Sequence, residues 1–352
     1  MYNDCLDERS KDWDINFWNQ KQLLTLRKPD SKYYKQVHSQ VLQDVLLRLD
    51  KAFQAFFKKL PGYLRPKPRN KYNSFSYPQS GWKIKNDKLV LSMIGSIDTV
   101  LHREMLGTPK RCTVIQDVDQ WYCVITTDFE DEKVETKHIA VGIDAGLLNW
   151  STLSTGEVIQ NTLNFKRHEQ KIKKLQRSLS RKKKGSHNRY KARIALARAW
   201  RTVRRQREDF CHKASRELAD EFTFIVFENL NIGNMIKNFR FAKAIMGATW
   251  TSLRLKTAYK VESRGGRCII VNPSGTSQKC SRCGEVVPKD LSVRTHECLK
   301  CGLVMDRDHN SAINILKLGL EQAHAERQPL LVRQHISKFA SRKQEAHVLM
   351  RG

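Results

Sequence analysis

Four cysteines set the tightest limit on how this chain can fold. Two residues separate Cys280 from Cys283, fourteen follow, and Cys298 and Cys301 repeat the pair. Each pair can grip one side of a tetrahedron, which is the spacing of a four-thiolate zinc site. Gly284 and Gly302 follow the second cysteine of each pair, where a knuckle turn needs a residue that accepts positive φ. Zinc held by four thiolates has no open position for water or substrate, so it folds a loop and leaves chemistry to other residues. The spacing predicts one structural Zn²⁺ in an inserted knuckle over 276–304.

The remaining cysteines do not argue for a disulfide scaffold. The chain has 352 residues and nine cysteines, an odd number, and Met1 to Asp14 is polar and acidic with no apolar signal core. That pattern predicts a reducing cytoplasm. The apolar runs, such as Phe224 to Phe227, fall far short of the roughly 18 residues of a membrane span, so no membrane partner is expected.

Charge points to a different partner. The chain carries 64 Lys and Arg against 36 Asp and Glu, a formal net charge of +28, more than solubility needs. Residues Lys166 to Arg216 hold 20 basic side chains against Glu169, Glu208 and Asp209, an excess of 17. The apolar positions Ile172, Leu175 and Leu179, then Leu196, Trp200, Val203 and Phe210, with a break at Lys184 to Asn188, predict a helical hairpin over 165–220. A solvated helix mixes signs to gain i,i+4 pairs, whereas this one is expected to forgo them in favour of a polyanion. Lys173, Lys174, Arg177, Arg181, Lys182 and Lys183 on the first arm and Arg201, Arg204 and Arg205 on the second are the candidate nucleic-acid-binding residues.

Hydrophobic content of 40% requires a core, and the pattern divides the rest into a multidomain α+β chain. Val41, Val45, Leu49, Phe53 and Phe56 recur at helical spacing from Val37 to Phe57, an amphipathic helix in an N-terminal helical region, 1–64. Lys88 to Met93, Arg111 to Ile115 and Trp121 to Thr127 are short β-rich runs that predict a mostly antiparallel β-domain over 65–136. Lys137 to Ile143, Trp150 to Leu153 and Val158 to Asn161 then read as a meander opening an α/β domain over 137–275. Further strands are expected at Phe222 to Phe227 and Arg267 to Val271, with a helix at Thr249 to Ser263 between them. A last segment, 305–320, returns to this domain, and 321–352 reads as a disordered tail for lack of a sustained period.

Three acids stand where this layout could bring them together. Asp144 ends the first strand of the meander, Glu228 ends a later strand, and Asp308 opens a helix running through Ile315. Singly, each acid fits a turn, a cap or a solvated strand end equally well. Together, beside a cationic hairpin, they suit Mg²⁺, which takes oxygen ligands and retains waters. Two such ions could activate water and stabilise the leaving oxygen of a phosphodiester.

The stretches Gly142-Ile143-Asp144-Ala145-Gly146, Phe227-Glu228-Asn229-Leu230, Thr276 to Cys280 and Asp306-Arg307-Asp308-His309-Asn310-Ser311-Ala312 resemble TnpB, the transposon-encoded relative of type V CRISPR nucleases. The likeness runs from Tyr2 and Asn3 through Phe75-Ser76-Tyr77-Pro78 to Lys343-Gln344-Glu345-Ala346. It implies a helical recognition lobe and a β-barrel wedge domain, then an RNase H-like RuvC domain interrupted by the zinc knuckle. Asp144, Glu228 and Asp308 match its three carboxylates, while the role of Asp306 stays open. The implied activity is that of an RNA-guided DNA endonuclease, prokaryotic and nucleoid-associated. It holds a transposon-derived guide RNA, reads a short motif beside a double-stranded target DNA, and leaves the rest to base pairing. Gln43 matches the family's base-contacting glutamine, and an amide can bond adenine bidentately. An ordinary solvent-facing glutamine is the competing reading. The family usually opens with a β-strand before its Tyr-Asn pair, whereas here Tyr2 and Asn3 come almost first, so the barrel is expected to lack a strand.

Two rival functions share parts of this pattern. A guided repressor that no longer cuts would keep the hairpin and knuckle and lose the acids, yet all three are present. An unguided RuvC-like nuclease or transposase accessory protein would need only the charge and the acids.

Overall fold

The computed structural model describes residues 1–60, 64–68, 71–102, 104–128, 139–147, 149–160, 164–237, 249–290, 293–325 and 346–351. The protein is an α+β chain of two compact units, Met1–Glu130 with Ser341–Gly352, and Asp131–Ala340.

The first unit opens with helices α1 (Tyr2–Lys11), α2 (Phe17–Arg27), α3 (Lys32–Lys35) and α4 (Ser39–Phe57). Asn16 caps α2 by accepting from the amides of Trp18 and Asn19, and the His38 side chain caps α4 at Gln40. Both satisfy amides that a helix start leaves without partners. The apolar stripe expected on α4 is only part of its buried face. Leu42, Leu46, Leu49 and Phe53 pack with Cys5, Leu6 and Leu24, while Val41 joins the sheet core of Tyr77, Leu89 and Val114. Lying between helices and sheet, α4 needs a wider apolar arc than a one-sided helix. Asp44, 1% exposed, anchors this arrangement through Arg48 at 2.7 Å and Arg111. Arg48 also donates to the Ser74 carbonyl and to the Ser76 hydroxyl.

The sheet of this unit is antiparallel and seven-stranded among the described residues. Six strands come from β1 (Ser74–Tyr77), β2 (Trp82–Lys85), β3 (Lys88–Leu91), β4 (Gly95–Val100), β5 (Thr108–Asp117) and β6 (Gln120–Asp128). Asn86 and Asp87, both at positive φ (49° and 56°), make the tight turn between β2 and β3, a task to which Asn and Asp adapt well. The seventh strand, β14 (Ala346–Arg351), lies between β6 and β4, in the order β1-β5-β6-β14-β4-β3-β2. It corrects the expected tail: the segment carries no helical or alternating signature, but both neighbours offer it backbone partners, with Ala346 opposite Ile125 and Arg351 opposite Asp98. Residues 326–345 of the expected tail lie outside the described residues, and residues 321–325 continue a helix.

In the second unit, β7 (Ala140–Ala145), β8 (Asn149–Leu153) and β9 (Val158–Gln160) form the predicted meander. The hairpin follows as α5 (Asn164–Ser180) and α6 (His187–Glu221). Then come β10 (Phe224–Glu228), α7 (Ile232–Met235), α8 (Trp250–Glu262), β11 (Arg267–Val271), the short pair β12 (Thr295–Glu297) and β13 (Val304–Asp306), and α9 (Arg307–Ala325). The main sheet has the order β11-β10-β7-β8-β9, with β7, β10 and β11 parallel and the meander antiparallel. One core holds Val141, Ile143 and Trp150 with Leu218 of α6 and Leu253 of α8. Another joins Val226, Ile269 and Val271 to Ile315 and Ala323 of α9. Helix cover on both faces explains why β7 and β10 read as continuous apolar runs. At Gly142 an added Cβ would lie 2.2 Å from the Ala312 carbonyl oxygen, so only glycine lets α9 approach β7 this closely.

Candidate active site and metal centre

The register of the parallel strands brings two of the acids side by side. Ile143 of β7 faces Phe227 of β10, so Asp144 and Glu228 leave adjacent strands at the same level. The Ala145 amide donates to Glu228 Oε1 at 3.2 Å, and the Ser311 hydroxyl of α9 donates to Asp144 Oδ1 at 3.1 Å. Asp308, three residues before Ser311, opens the same helix. The fold therefore gathers all three candidate acids, with Asp144 and Asp308 buried at 8% and 7% exposure.

The electrostatics bear on what such a cluster can bind. Burial holds the Asp144 carboxyl well above the usual carboxylate range, and the charges of Glu228 and Asp308 add to it. Burial likewise raises Glu228 to about 7, against the Ala145 amide and its hydrogen bond with Asp144, which favour the charged form. Carboxylates crowded in a low-dielectric site share protons until a cation replaces them. The donor set is hard oxygen throughout, which fits Mg²⁺.

Sequence reasoning did not find two arginines at this site. Arg307 contacts Asp308 Oδ1 at 3.0 Å and Arg294 contacts Oδ2 at 3.4 Å. Arg294 lies fourteen residues upstream, inside the knuckle insertion, and no helix or strand period links such a pair. Asp306 has a definite place: its Oδ1 accepts from the amides of Asp308 at 2.8 Å and His309 at 3.0 Å, capping α9 and fixing its first turn. An Asp just before a helix is itself a cap signal.

The four cysteines converge as their spacing predicts, with all four sulfurs within 4.8 Å of one another. Cys280 and Cys301 lie 3.5 Å apart and Cys283 and Cys298 3.6 Å apart, near the ~3.8 Å edge of a tetrahedron of Zn–S bonds. Gly284 (φ 78°) and Gly302 (φ 69°) close the two knuckles, their amides donating to the carbonyls of Cys280 and Cys298. Burial opposes the Cys280 thiolate, yet the Cys283 and Arg282 amides and the His296 ring outweigh it and bring the thiol down to about 5. Partial burial and the neighbouring sulfurs push Cys301 up to about 12. Soft, crowded sulfurs of this kind suit zinc, which removes their protons and their mutual repulsion.

On the hairpin, Ile172, Ala199 and Val203 form the seam between α5 and α6. Lys173, Lys174, Arg177, Arg181 and Lys182 line one concavity of about 600 Å³ with Gln170 and Ser178. Lys183, Arg204 and Arg205 are exposed and Arg201 is half-buried. One expectation needs correction: the hairpin does use i,i+4 pairs where it has acids, Glu169 with Lys173 at 2.7 Å and Asp209 with Lys213 at 2.8 Å. Glu208 pairs instead with Lys256 of α8 at 2.7 Å, and with so few acids from Lys166 to Arg216 the charge there stays strongly positive. Gln43 is half-buried on α4, in the other unit from the acids.

This combination of mixed sheet, gathered acids and cysteine insertion accompanies sequence matches to a known class of proteins. Residues 121–238 match the OrfB_IS605 family, described as "Probable transposase", and residues 250–315 match the family "Cas12f1-like, TNB domain". A "Putative RNA-guided DNA endonuclease" of Streptomyces pristinaespiralis is 35% identical over 334 residues, covering 91% of this chain and 83% of that one. "Putative RNA-guided DNA endonuclease InsQ" of Escherichia coli is 33% identical over 309 residues, covering 82% and 77%. A solved Cas12f1-sgRNA-target DNA complex overlaps 90% of each chain at 16% identity, with a TM-score of 0.38. The chain belongs to the TnpB family.

No helix among the described residues is long and apolar enough to cross a membrane.

Proposed function

We propose that this protein is an RNA-guided DNA endonuclease that hydrolyses phosphodiester bonds at Asp144, Glu228 and Asp308 with Mg²⁺. The observation that carries the reading is the convergence of three carboxylates, Asp144 and Glu228 at one level of the sheet and Asp308 on the first turn of α9, the first two held above their usual range chiefly by burial. Magnesium bound there would supply the positive charge that lowers the pKa of a water and stabilises the leaving oxygen. The protein's own part is to hold the oxygens. Ser311 orients Asp144, the Ala145 amide orients Glu228, and the Asp306 cap sets the helix turn that carries Asp308. Arg307 and Arg294 keep the Asp308 charge compensated.

Relatives named as RNA-guided DNA endonucleases support a guide RNA and a double-stranded target as partners here. The parallel β7-β10-β11 core with its antiparallel meander supports an RNase H-like reading of the second unit. The helices and antiparallel sheet of the first unit are read as the recognition and wedge regions, with Gln43 a candidate for reading a motif beside the target. The one-signed concavity on α5 suits a nucleic-acid backbone, because a protein that delegates sequence reading to base pairing binds phosphates rather than base edges. The cysteine cluster is read as one structural Zn²⁺.

The test is purification from cells carrying the element's flanking DNA. Bound RNA is sequenced, and matched and mismatched duplexes are offered with Mg²⁺ or without it. The expected result is copurified RNA and Mg²⁺-dependent cutting of the matched duplex only, with Asp144→Ala abolishing cutting and sparing RNA binding. RNA and duplex binding without cutting would instead mark a guided repressor, and absence of RNA an unguided nuclease.

A further inference from the structure

The third acid is not carried by the sheet. Asp144 and Glu228 sit on paired strands, whereas Asp308 rides on the first turn of α9, which is held by the Asp306 cap, by the Ser311 bond to Asp144 and by further partners outside the main sheet. One face of α9 carries Asn310, Asn314 and Lys317, at i, i+4 and i+7, and all three reach the backbone that leads into the cysteine cluster. Asn310, fully buried, accepts from the Ser281 amide at 2.8 Å and donates to the Lys279 carbonyl at 2.8 Å. Asn314 donates to the Thr276 carbonyl at 2.9 Å and to the Lys279 carbonyl at 2.8 Å. Lys317 donates to the Ser281 carbonyl. Cys280 sits inside this grip. The far arm of the insertion is held too: the Arg307 amide donates to the Arg294 carbonyl at 2.7 Å and its guanidinium to the Val293 carbonyl at 3.1 Å.

We infer that Asn310 and Asn314 are positioning residues that lock the cysteine insertion to α9, so that zinc in the cluster fixes Asp308 against Asp144 and Glu228. The inference rests on the nuclease reading for its consequence in catalysis but not for the lock itself. A buried Asn can satisfy two backbone groups at once, and such bonds are directional and strong where water is absent. Unfolding the knuckle removes the Lys279 and Ser281 partners, leaves buried amides unpaired, and frees the first turn of α9 to fray. Zinc, which touches none of the three acids, thereby acts on their geometry.

The experiment uses the full chain, zinc-loaded, in magnesium-free buffer, with hydrogen exchange followed by mass spectrometry. Zinc removal is expected to speed exchange across Asp306 to Asn314 at least about fivefold, the loss of one or more net hydrogen bonds, and to leave Ala140 to Ala145 unchanged. Asn314→Ala should do the same while one zinc per chain stays bound, as measured by thiol titration with a zinc indicator. In cleavage assays it should raise the Mg²⁺ requirement about tenfold, the low end of what loosened support of a metal ligand costs, with the rate at saturating Mg²⁺ within about twofold of the native rate. A merely structural role would lower the rate at every Mg²⁺ concentration without moving the requirement. Retained protection of α9 after zinc loss, or in zinc-loaded Asn314→Ala, would overturn the inference. Should Asn314→Ala fail to fold, Lys317→Met, at an exposed position, takes the same exchange measurement. If the native protein cuts nothing, the nuclease reading fails while the exchange result still decides the lock.

Discussion

Glu228 and Asp144 have pKa values raised on folding, Glu228 to about 7 from 4.5 and Asp144 upward from 3.8, chiefly through burial. The folded site therefore binds protons that the unfolded chain has released, and stability falls as pH rises from about 4.5 through about 7. In magnesium-free buffer Glu228→Gln should leave the melting midpoint unchanged near pH 3.5, below the unfolded pKa, and raise it by several degrees at pH 8. Adding Mg²⁺ at pH 8 should stabilise the native protein and not the variant. Thermal melts at the two pH values decide this, and equal midpoints at pH 8 would remove the claim of a strained carboxylate pair. The acids were legible one by one in the sequence, as strand ends and a helix start. Ser311, Arg294 and Arg307 were not, because their meaning depends on which side chain lies opposite.

At the scale of elements, the α5–α6 hairpin was the most legible part of the chain, since a 3.6-residue period and a one-signed charge survive in any tertiary setting. Its five-residue basic concavity carries a prediction. Removing one cation that neutralises a phosphate should lower the slope of log affinity against log salt by about 0.7 for single strands and 0.9 for duplex. Changing Arg177 and Arg181 together to Gln should thus reduce the slope for bound RNA or matched DNA by roughly 1.4 to 1.8, measured by filter binding across salt concentrations. An unchanged slope would mean that the concavity faces no phosphate. Conversely, α1, α2 and β4 escaped notice because short amphipathic pieces take their identity from the neighbours they pack on.

For the molecule as a whole, the chain leaves the first unit at about residue 130 and returns to it at about 341. The returning strand β14 separates β6 from β4 and pairs with both, so without it the sheet divides into two three-stranded parts. Each backbone hydrogen bond is worth about 0.5–1.5 kcal/mol net, and a strand paired on two sides is worth several. Residues 1–130 alone should unfold at markedly lower urea than the same residues joined by a flexible linker to 341–352. Chemical denaturation followed by circular dichroism tests this, and equal midpoints would show that β14 contributes nothing.

The sequence by itself determined the local features whose physics needs no partner: the cysteine spacing and its glycines, the charge of the hairpin, the apolar strands, and the acids that end them. Family membership was legible too, because those motifs are contiguous. Tertiary structure alone decided what lies opposite what. It put the last residues of the chain into the first unit's sheet, set Arg294 on Asp308, and turned Asn310 and Asn314 of α9 onto the carbonyls beside Cys280. The physical reason is one of range. Spacing and periodicity record interactions within a turn or a strand, whereas hydrogen bonds and ion pairs between residues far apart in sequence leave no period in the chain.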